Sequence, residues 1–279
     1  MNYRHAFHAG NFADVVKHAV LALVIEHLKR KDQPFRVIDT HAGLGRYDLE
    51  GEQAGKTGEW RGGIARMMTG PPVSAALEPY LAVVRAMNPA DGSVRFYPGS
   101  PRLSRALIRP QDKLALVELH PRDAAALKAE FRRDEQVKVM EMDAYAALKG
   151  LLPPPERRGV VLIDPPFEVK GEFERIRRGL SEAFRRWPTG IYMIWYPIKG
   201  HGPVRTFLDS MKELAVPMFT AEVMLRSEEN IFRLNGCGLL VLNPPWKLDE
   251  AVADLLAELK GRLTLAQGTA ALEWLVGPD

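Results

Sequence analysis

Five short apolar runs, at residues 35–40, 114–119, 138–143, 159–164 and 190–198, constrain this chain more than any other feature. Each is rich in Val, Ile, Leu or aromatic residues and too short for a helix, so each reads as a strand. Helix-compatible stretches separate several of them. That alternation argues for a parallel sheet with helices on its faces. Two further runs, 217–225 and 238–242, are joined by a polar segment containing Ser227, Glu228, Glu229 and Asn230, which suits an antiparallel hairpin at one sheet edge. The expectation is an α/β fold built on a seven-stranded, mostly parallel sheet with helices on both faces.

The first helix is expected over 11–31. Asn11 caps it with Asp14 three residues on, Val15, Val16, Ala19, Val20, Leu23, Val24 and Leu28 form its apolar face, and Lys29–Lys31 close it. A last helix is expected over 249–260, with Gly261 as its C-cap, followed by an apolar tail. Residues 47–97 break the alternation with a glycine-rich stretch, Pro71-Pro72 and a helical piece. A compact α/β unit needs only a few residues there, so this reads as an inserted subdomain within a single domain spanning 1–279; the plain alternative is a decorative surface loop.

Apolar residues at 46% and charged residues at 26% exclude disorder and coiled coil as the main theme. One cysteine, Cys237, permits no intramolecular disulfide and no Cys-rich metal site, so no metal is expected and a reducing cytoplasm is the simplest home. No apolar run is long enough to cross a bilayer, and the N-terminus lacks a signal-peptide layout. A net charge of +3 permits a nucleic-acid partner without demanding one.

The run at 159–164 delivers Asp164-Pro165-Pro166-Phe167 at its C-terminal end, where ligands bind in open α/β sheets. The prolines fix two φ angles and remove two amide donors, so the carboxylate and the carbonyls form a rigid acceptor array. An adjacent aromatic can stack on a flat ring. Such a group suits an exocyclic amine on a nucleobase: acceptors take its protons and free the nitrogen lone pair for attack on an electrophile. The bland alternative is a proline-terminated strand. Asp39, Glu118 and Asp143 end three other strands, with the loop Asp39–Gly45 after the first. The glycine spacing there does not match G-x-G-x-x-G, which weakens a nicotinamide reading. Glu118 can accept from ribose hydroxyls, and Asp143 could serve only as a helix N-cap. Asn243-Pro244-Pro245-Trp246 copies the tetrad, but it ends a strand expected to run antiparallel, pointing away from the cleft. Two basic sets, Arg102/Arg105/Arg109/Lys113 and Arg175/Arg177/Arg178/Arg185/Arg186, could meet phosphates; the second is diluted by glutamates and could be a solvated helix.

The ordered series Asp39–Gly45, Glu118, Asp143 and Asp164–Phe167 resembles a class I S-adenosylmethionine-dependent amino-methyltransferase, with its Rossmann-like fold. More narrowly, Tyr3–Asn11 followed by Asp14, Lys17 and His18, together with 97–101 and 243–246, resembles the RlmJ family, bacterial enzymes that methylate N6 of an adenine in 23S ribosomal RNA. The resemblance covers essentially the whole chain. It implies that His18, His41, Ser100, Glu118, Asp143, Ala144 and Asp164, with Asp39 and Gly43, contact S-adenosylmethionine, which leaves as S-adenosylhomocysteine. It implies that Asp164, with Pro165, also binds the target amine and that Phe167 stacks on the adenine, in place of the Tyr common in such motifs. Tyr3, His5 and Lys17 would touch the substrate, with residues 1–18 covering the cleft; for Lys17, a solvated helix charge is the alternative. Four of the seven histidines fall in the first 27 residues. The partner implied is 23S ribosomal RNA, with no membrane and no obligatory protein partner.

Rival readings share some of these features. A DNA adenine-N6 methyltransferase uses the same tetrad but needs a larger recognition region than 47–97. A protein glutamine methyltransferase prefers Asn at position 164. A catalytically inactive RNA-binding module is argued against by the intact acid.

Overall fold

The computed structural model describes residues 4–226, 233–263 and 268–278. Its strands are β1 (Arg36–Asp39), β2 (Arg46–Asp48), β3 (Phe96–Pro98), β4 (Lys113–Glu118), β5 (Val137–Glu141), β6 (Gly159–Ile163), β7 (Ile191–Ile198), β8 (Met218–Met224), β9 (Gly236–Leu242) and β10 (Thr269–Val276). Its α-helices are α1 (Phe12–Lys29), α2 (Glu52–Thr57), α3 (Ile64–Met68), α4 (Glu78–Ala86), α5 (Ser100–Leu107), α6 (Pro121–Glu130), α7 (Ala144–Leu151), α8 (Glu172–Arg186), α9 (His201–Met211) and α10 (Leu248–Arg262).

The main sheet has the order β10-β8-β9-β7-β6-β1-β4-β5, while β2 and β3 form a separate antiparallel ribbon. From β7 through β6, β1, β4 and β5 the pairing is parallel, and β9 runs antiparallel between β7 and β8. The sheet therefore has eight strands rather than the expected seven. The eighth, β10, is the stretch that the sequence presents as an apolar tail. It pairs antiparallel with β8 at the sheet edge, and Trp274 meets Phe219 edge-on at 5.5 Å. Ala270, Leu272 and Trp274 are half-buried and alternate with exposed Thr269, Ala271 and Glu273, a short and weak strand signal. Gly261 is not the expected stop, since α10 continues through it to Arg262. The polar segment 227–230 lies outside the described residues.

Alternation along the strands feeds two cores. Val37, Leu116, Val160, Leu162 and Met193 face α1, α4, α5 and α10, while Ile38, Val161, Ile163, Ile194 and Tyr196 face α7, α8 and α9. Residues 47–97 share the first core through Tyr80, Leu81 and Val84 of α4, all fully buried. They also meet the start of α1 backbone to backbone. The Ile64 amide donates to the Gly10 carbonyl at 2.8 Å, and a Cβ on Gly63 would lie 2.2 Å from that oxygen. Among the described residues no helix is long and apolar enough to cross a membrane, and no cluster of His, Cys, Asp and Glu could hold a metal ion.

Candidate active site

The C-terminal ends of β1, β4, β5 and β6 lie side by side, so the parallel register brings Asp39, Glu118, Asp143 and Asp164 to one end of the sheet. The N-terminus of α1 approaches that end. Asn11 Oδ1 accepts from the Asp14 amide at 3.0 Å and so sets the helix start. One turn later Lys17 is buried, only 4% exposed, which excludes a solvated helix charge. Its Nζ lies 2.8 Å from Asp14 Oδ1 and 2.5 Å from Asp164 Oδ2. Burial opposes the Lys17 charge, but the two carboxylates overcome it and hold the ammonium well above the usual lysine range. Burial also opposes ionisation of Asp14, and His5 and Lys17 together hold it well below the usual carboxylate range. Asp14 Oδ2 accepts from His5 Nε2 and from the Gly10 amide, both at 2.9 Å.

Phe167 adopts φ 51°, in the left-handed region, and that turn is braced by aromatic edges. Its ring centroid lies 5.0 Å from Phe173 and 6.0 Å from Trp195. Pro165 is buried between it and Asp164.

Beside Asp164 lies a second, more enclosed group of side chains. Asp39 is fully buried, and its Oδ2 has no partner among the described residues. Burial pushes its carboxyl up to about 6, against the hydrogen bonds from Ser100 and the His41 amide. Thr40 Oγ1 donates to the Leu162 carbonyl at 2.9 Å, so His41 Nδ1, 2.8 Å away, must donate to that hydroxyl. His41 Nε2 is then an acceptor, and burial keeps the ring neutral, with its pKa held down to about 4. His18 is likewise neutral, held down to about 3 by burial and the Lys17 charge. Its Nδ1 lies 2.7 Å from Tyr97 Oη, itself 3.0 Å from Tyr80 Oη, while Nε2 is buried without a partner among the described residues.

Gly43 has φ +64°, and its amide donates to Glu118 Oε2 at 2.8 Å; a Cβ there would lie 2.5 Å from Tyr47 Oη. Glu118 also accepts from the His120 amide at 2.7 Å, yet burial still raises its carboxyl. Asp143 caps α7 through the Tyr145 and Ala146 amides, both on Oδ1; Oδ2 lies 3.5 Å from Arg175 Nη2, and Ala144 is buried beside it. The structure thus brings together His5, Lys17, His18, Asp39, His41, Gly43, Ser100, Glu118, Asp143, Ala144, Asp164, Pro165 and Phe167. Tyr3 lies outside the described residues.

Asn243 stands at the opposite end of the sheet. Its Nδ2 donates to the Pro188 and Gly190 carbonyls at 2.7 and 2.8 Å, pinning the turn before β7, and Trp246 is 78% exposed there. Sequence reasoning gave no place in the site to Tyr47, Tyr80, Tyr97, Asp14 or Trp195. Tyr97 stands in a quoted motif and Asp14 was read as part of a helix cap, but the other three carry no local signal of their place.

Comparison with known proteins follows the same outline. Residues 32–276 match the family model described as "Ribosomal RNA large subunit methyltransferase D, RlmJ". The chain is 41% identical to "Ribosomal RNA large subunit methyltransferase J" of Escherichia coli and 35% identical to the protein of that name from Haemophilus influenzae, in each case over 99% of both chains. It also superposes on the crystal structure of protein LPL1258 from Legionella pneumophila with a TM-score of 0.89 at 32% identity, covering 95% of this chain and 98% of that one.

Proposed function

The chain belongs to the RlmJ family of methyltransferases, and from that premise we propose that it moves a methyl group from S-adenosylmethionine to the N6 amine of an adenine in 23S ribosomal RNA. The observation that carries the reading is Asp164: a carboxylate at a parallel strand end, held on one oxygen by a buried ammonium, beside a proline carbonyl and a braced aromatic ring.

Asp164 Oδ1 and the Pro165 carbonyl accept the two amine protons, and Phe167 holds the ring by stacking. Both acceptors favour a tetrahedral nitrogen with a localised lone pair. Lys17 positions Asp164 through its ammonium, 2.5 Å from Oδ2. The enclosed group fits the donor, because it offers a buried orphan acceptor, Asp39 Oδ2, and an unpartnered buried ring nitrogen, His18 Nε2, among the described residues, to a ligand that carries an ammonium and a sulfonium. Glu118 and Asp143 would take the ribose and adenine ends, with His41, Ser100, Gly43 and Ala144 lining the site between them. When bound, the donor supplies an electrophilic methyl group. Residues 4–18 cover the cleft, and the insertion at 47–97 supports that cover through Tyr80, Tyr97 and the Gly10–Ile64 seam. The reading places the enzyme in the cytoplasm.

The test is radiolabelled methyl transfer to protein-free, unmodified large-subunit ribosomal RNA, followed by digestion to nucleosides. Label in N6-methyladenosine is expected. Label only on duplex DNA or on protein overturns the substrate, and donor binding without transfer to anything favours an inactive RNA-binding module.

A pH dependence follows from Asp39. A carboxyl raised to about 6 is protonated below that pH, and the protonated form attracts no cation. Donor affinity measured by calorimetry should therefore fall by up to ~10-fold per pH unit below about 6, while Asp39→Asn should bind more weakly with little pH dependence. For folding the sign is opposite: a raised carboxyl contributes stability below its unfolded value, and that contribution is lost as pH climbs through about 6.

A further inference from the structure

The two arginine sets that stand out in the sequence are largely neutralised within the fold. Arg102 pairs with Glu130, Arg105 with Asp134 and Arg109 with Asp112. On α8, Glu174 takes Arg177 and Arg178, Glu182 takes Arg185 and Arg186, and Arg175 is held by Glu172 and Asp143. Most of the α8 pairs are i,i+3 or i,i+4 contacts on a solvated face, and the pairs together leave little charge for a polyanion.

A different set of cations stands above Asp164. In the parallel register Ile163 faces Ile194, so β7 runs on through Ile198 after β6 has ended. Gly236 of β9 faces Ile198, and Met224 of β8 faces Gly236. The ends of β7 and β8 and the start of β9 therefore form a wall that overshoots the Asp164 level by three residues, roughly 10 Å at about 3.3 Å per residue. Trp195, which braces Phe167, lies at its foot. Lys199, Arg226 and Arg233 crown the wall, Arg205 follows on α9, and Lys170 stands in the loop after Phe167.

All five are exposed, and none forms an ion pair with another described residue. The crown is fixed. Buried Asn235 donates its amide to the Ile198 carbonyl and Nδ2 to the Lys199 carbonyl, both at 3.0 Å, and accepts from the Leu225 amide at 2.8 Å. α9 is tied to the target loop through Phe173, which stacks on Phe207 at 5.0 Å and meets Phe167. Nearby Glu222 is engaged by the Tyr196 hydroxyl at 2.6 Å, and Glu168 shares the loop with Lys170.

We propose that Lys170, Lys199, Arg205, Arg226 and Arg233 form the track for RNA phosphates on either side of the target nucleotide. The backbone passes along the rim and the adenine alone descends the wall, past Trp195, to Phe167 and Asp164. An extruded or single-stranded nucleotide fits this arrangement, because its base must part from its neighbours to reach the floor. The inference rests on the RNA-methyltransferase reading above and adds the surface that holds the RNA.

The test uses two double variants, Lys199→Gln with Arg205→Gln and Arg226→Gln with Arg233→Gln. The comparison variant is Arg177→Gln with Arg185→Gln on α8. Affinity for unmodified large-subunit ribosomal RNA is measured by fluorescence anisotropy across a salt series, alongside steady-state methylation. Each rim variant should bind at least ~10-fold more weakly, and its log K against log salt slope should be shallower by about 1.4, roughly 0.7 for each lost single-strand contact. KM for RNA should rise with kcat and donor affinity unchanged, and the α8 variant should match wild type. Unchanged slopes in both rim variants, or an equal loss in the α8 variant, overturn the track while leaving the methyltransferase reading intact. A wild-type protein that methylates no RNA overturns that reading and the track with it.

Discussion

Asp164→Ala is expected to lower single-turnover methyl transfer by roughly 10³-fold, while donor affinity measured by calorimetry stays within about tenfold of wild type. The carboxylate stands where charge and geometry change at the attacking nitrogen, whereas the donor is held mainly by the enclosed group around Asp39, His18 and Glu118. The variant should still fold, since Lys17 keeps Asp14 as a partner 2.8 Å away when Asp164 is gone. Asp164→Asn separates charge from shape. A carboxamide oxygen still accepts from the amine but no longer pairs as an ion with Lys17, so an intermediate loss of roughly 10- to 100-fold is expected. Transfer by Asp164→Ala within tenfold of wild type, in a protein that still binds donor, would place the amine elsewhere and refute the assignment.

Legibility in the sequence followed where the physics is local. Apolar runs announced seven strands of the main sheet, because a strand buried on both faces must be apolar throughout. The same rule missed β10, a half-exposed edge strand whose alternation is carried by Ala270, Leu272 and Trp274. Strand-end acids were visible as well, since parallel strands collect their C-terminal residues at one edge. What stayed hidden depends on tertiary neighbours. Nothing local in Tyr80 or Tyr97 shows that they form a rail beside His18, and nothing near Lys17 shows that its ammonium is buried between two carboxylates. Charge clusters misled in the other direction. The α8 arginines look like a polyanion site because they are adjacent, yet adjacency to Glu174 and Glu182 at helical spacing is what neutralises them.

Lys17→Met should destabilise the protein by roughly 3–5 kcal/mol at neutral pH, a Tm drop of about 10 °C, because it leaves two carboxylates without the cation between them. The pH profile is the sharper readout. In wild type, Asp14 is held below its ordinary range, so its contribution to stability is present above the unfolded carboxyl pKa and is lost as pH falls through the folded one. Burial is the largest influence on Asp14 and acts upward; without Lys17 only His5 and local amides oppose it. Asp14 in the variant should then titrate above its unfolded value. Its stability contribution is therefore present at acid pH and lost as pH rises through the folded value. Through this cluster wild type should hold its stability between about pH 7 and 5 and lose it only below the ordinary carboxylate range, whereas Lys17→Met should gain stability as pH falls from about 7 to 5. Lys17→Met also removes the ammonium that holds Asp164 Oδ2 in place, so methyl transfer by the variant should fall by roughly 10²-fold or more at neutral pH. Denaturant unfolding and single-turnover transfer across that range measure both effects. Parallel stability profiles for the two proteins would mean that Lys17 does not set the charge of this cluster. Asp164 would then be oriented by its rigid proline turn alone.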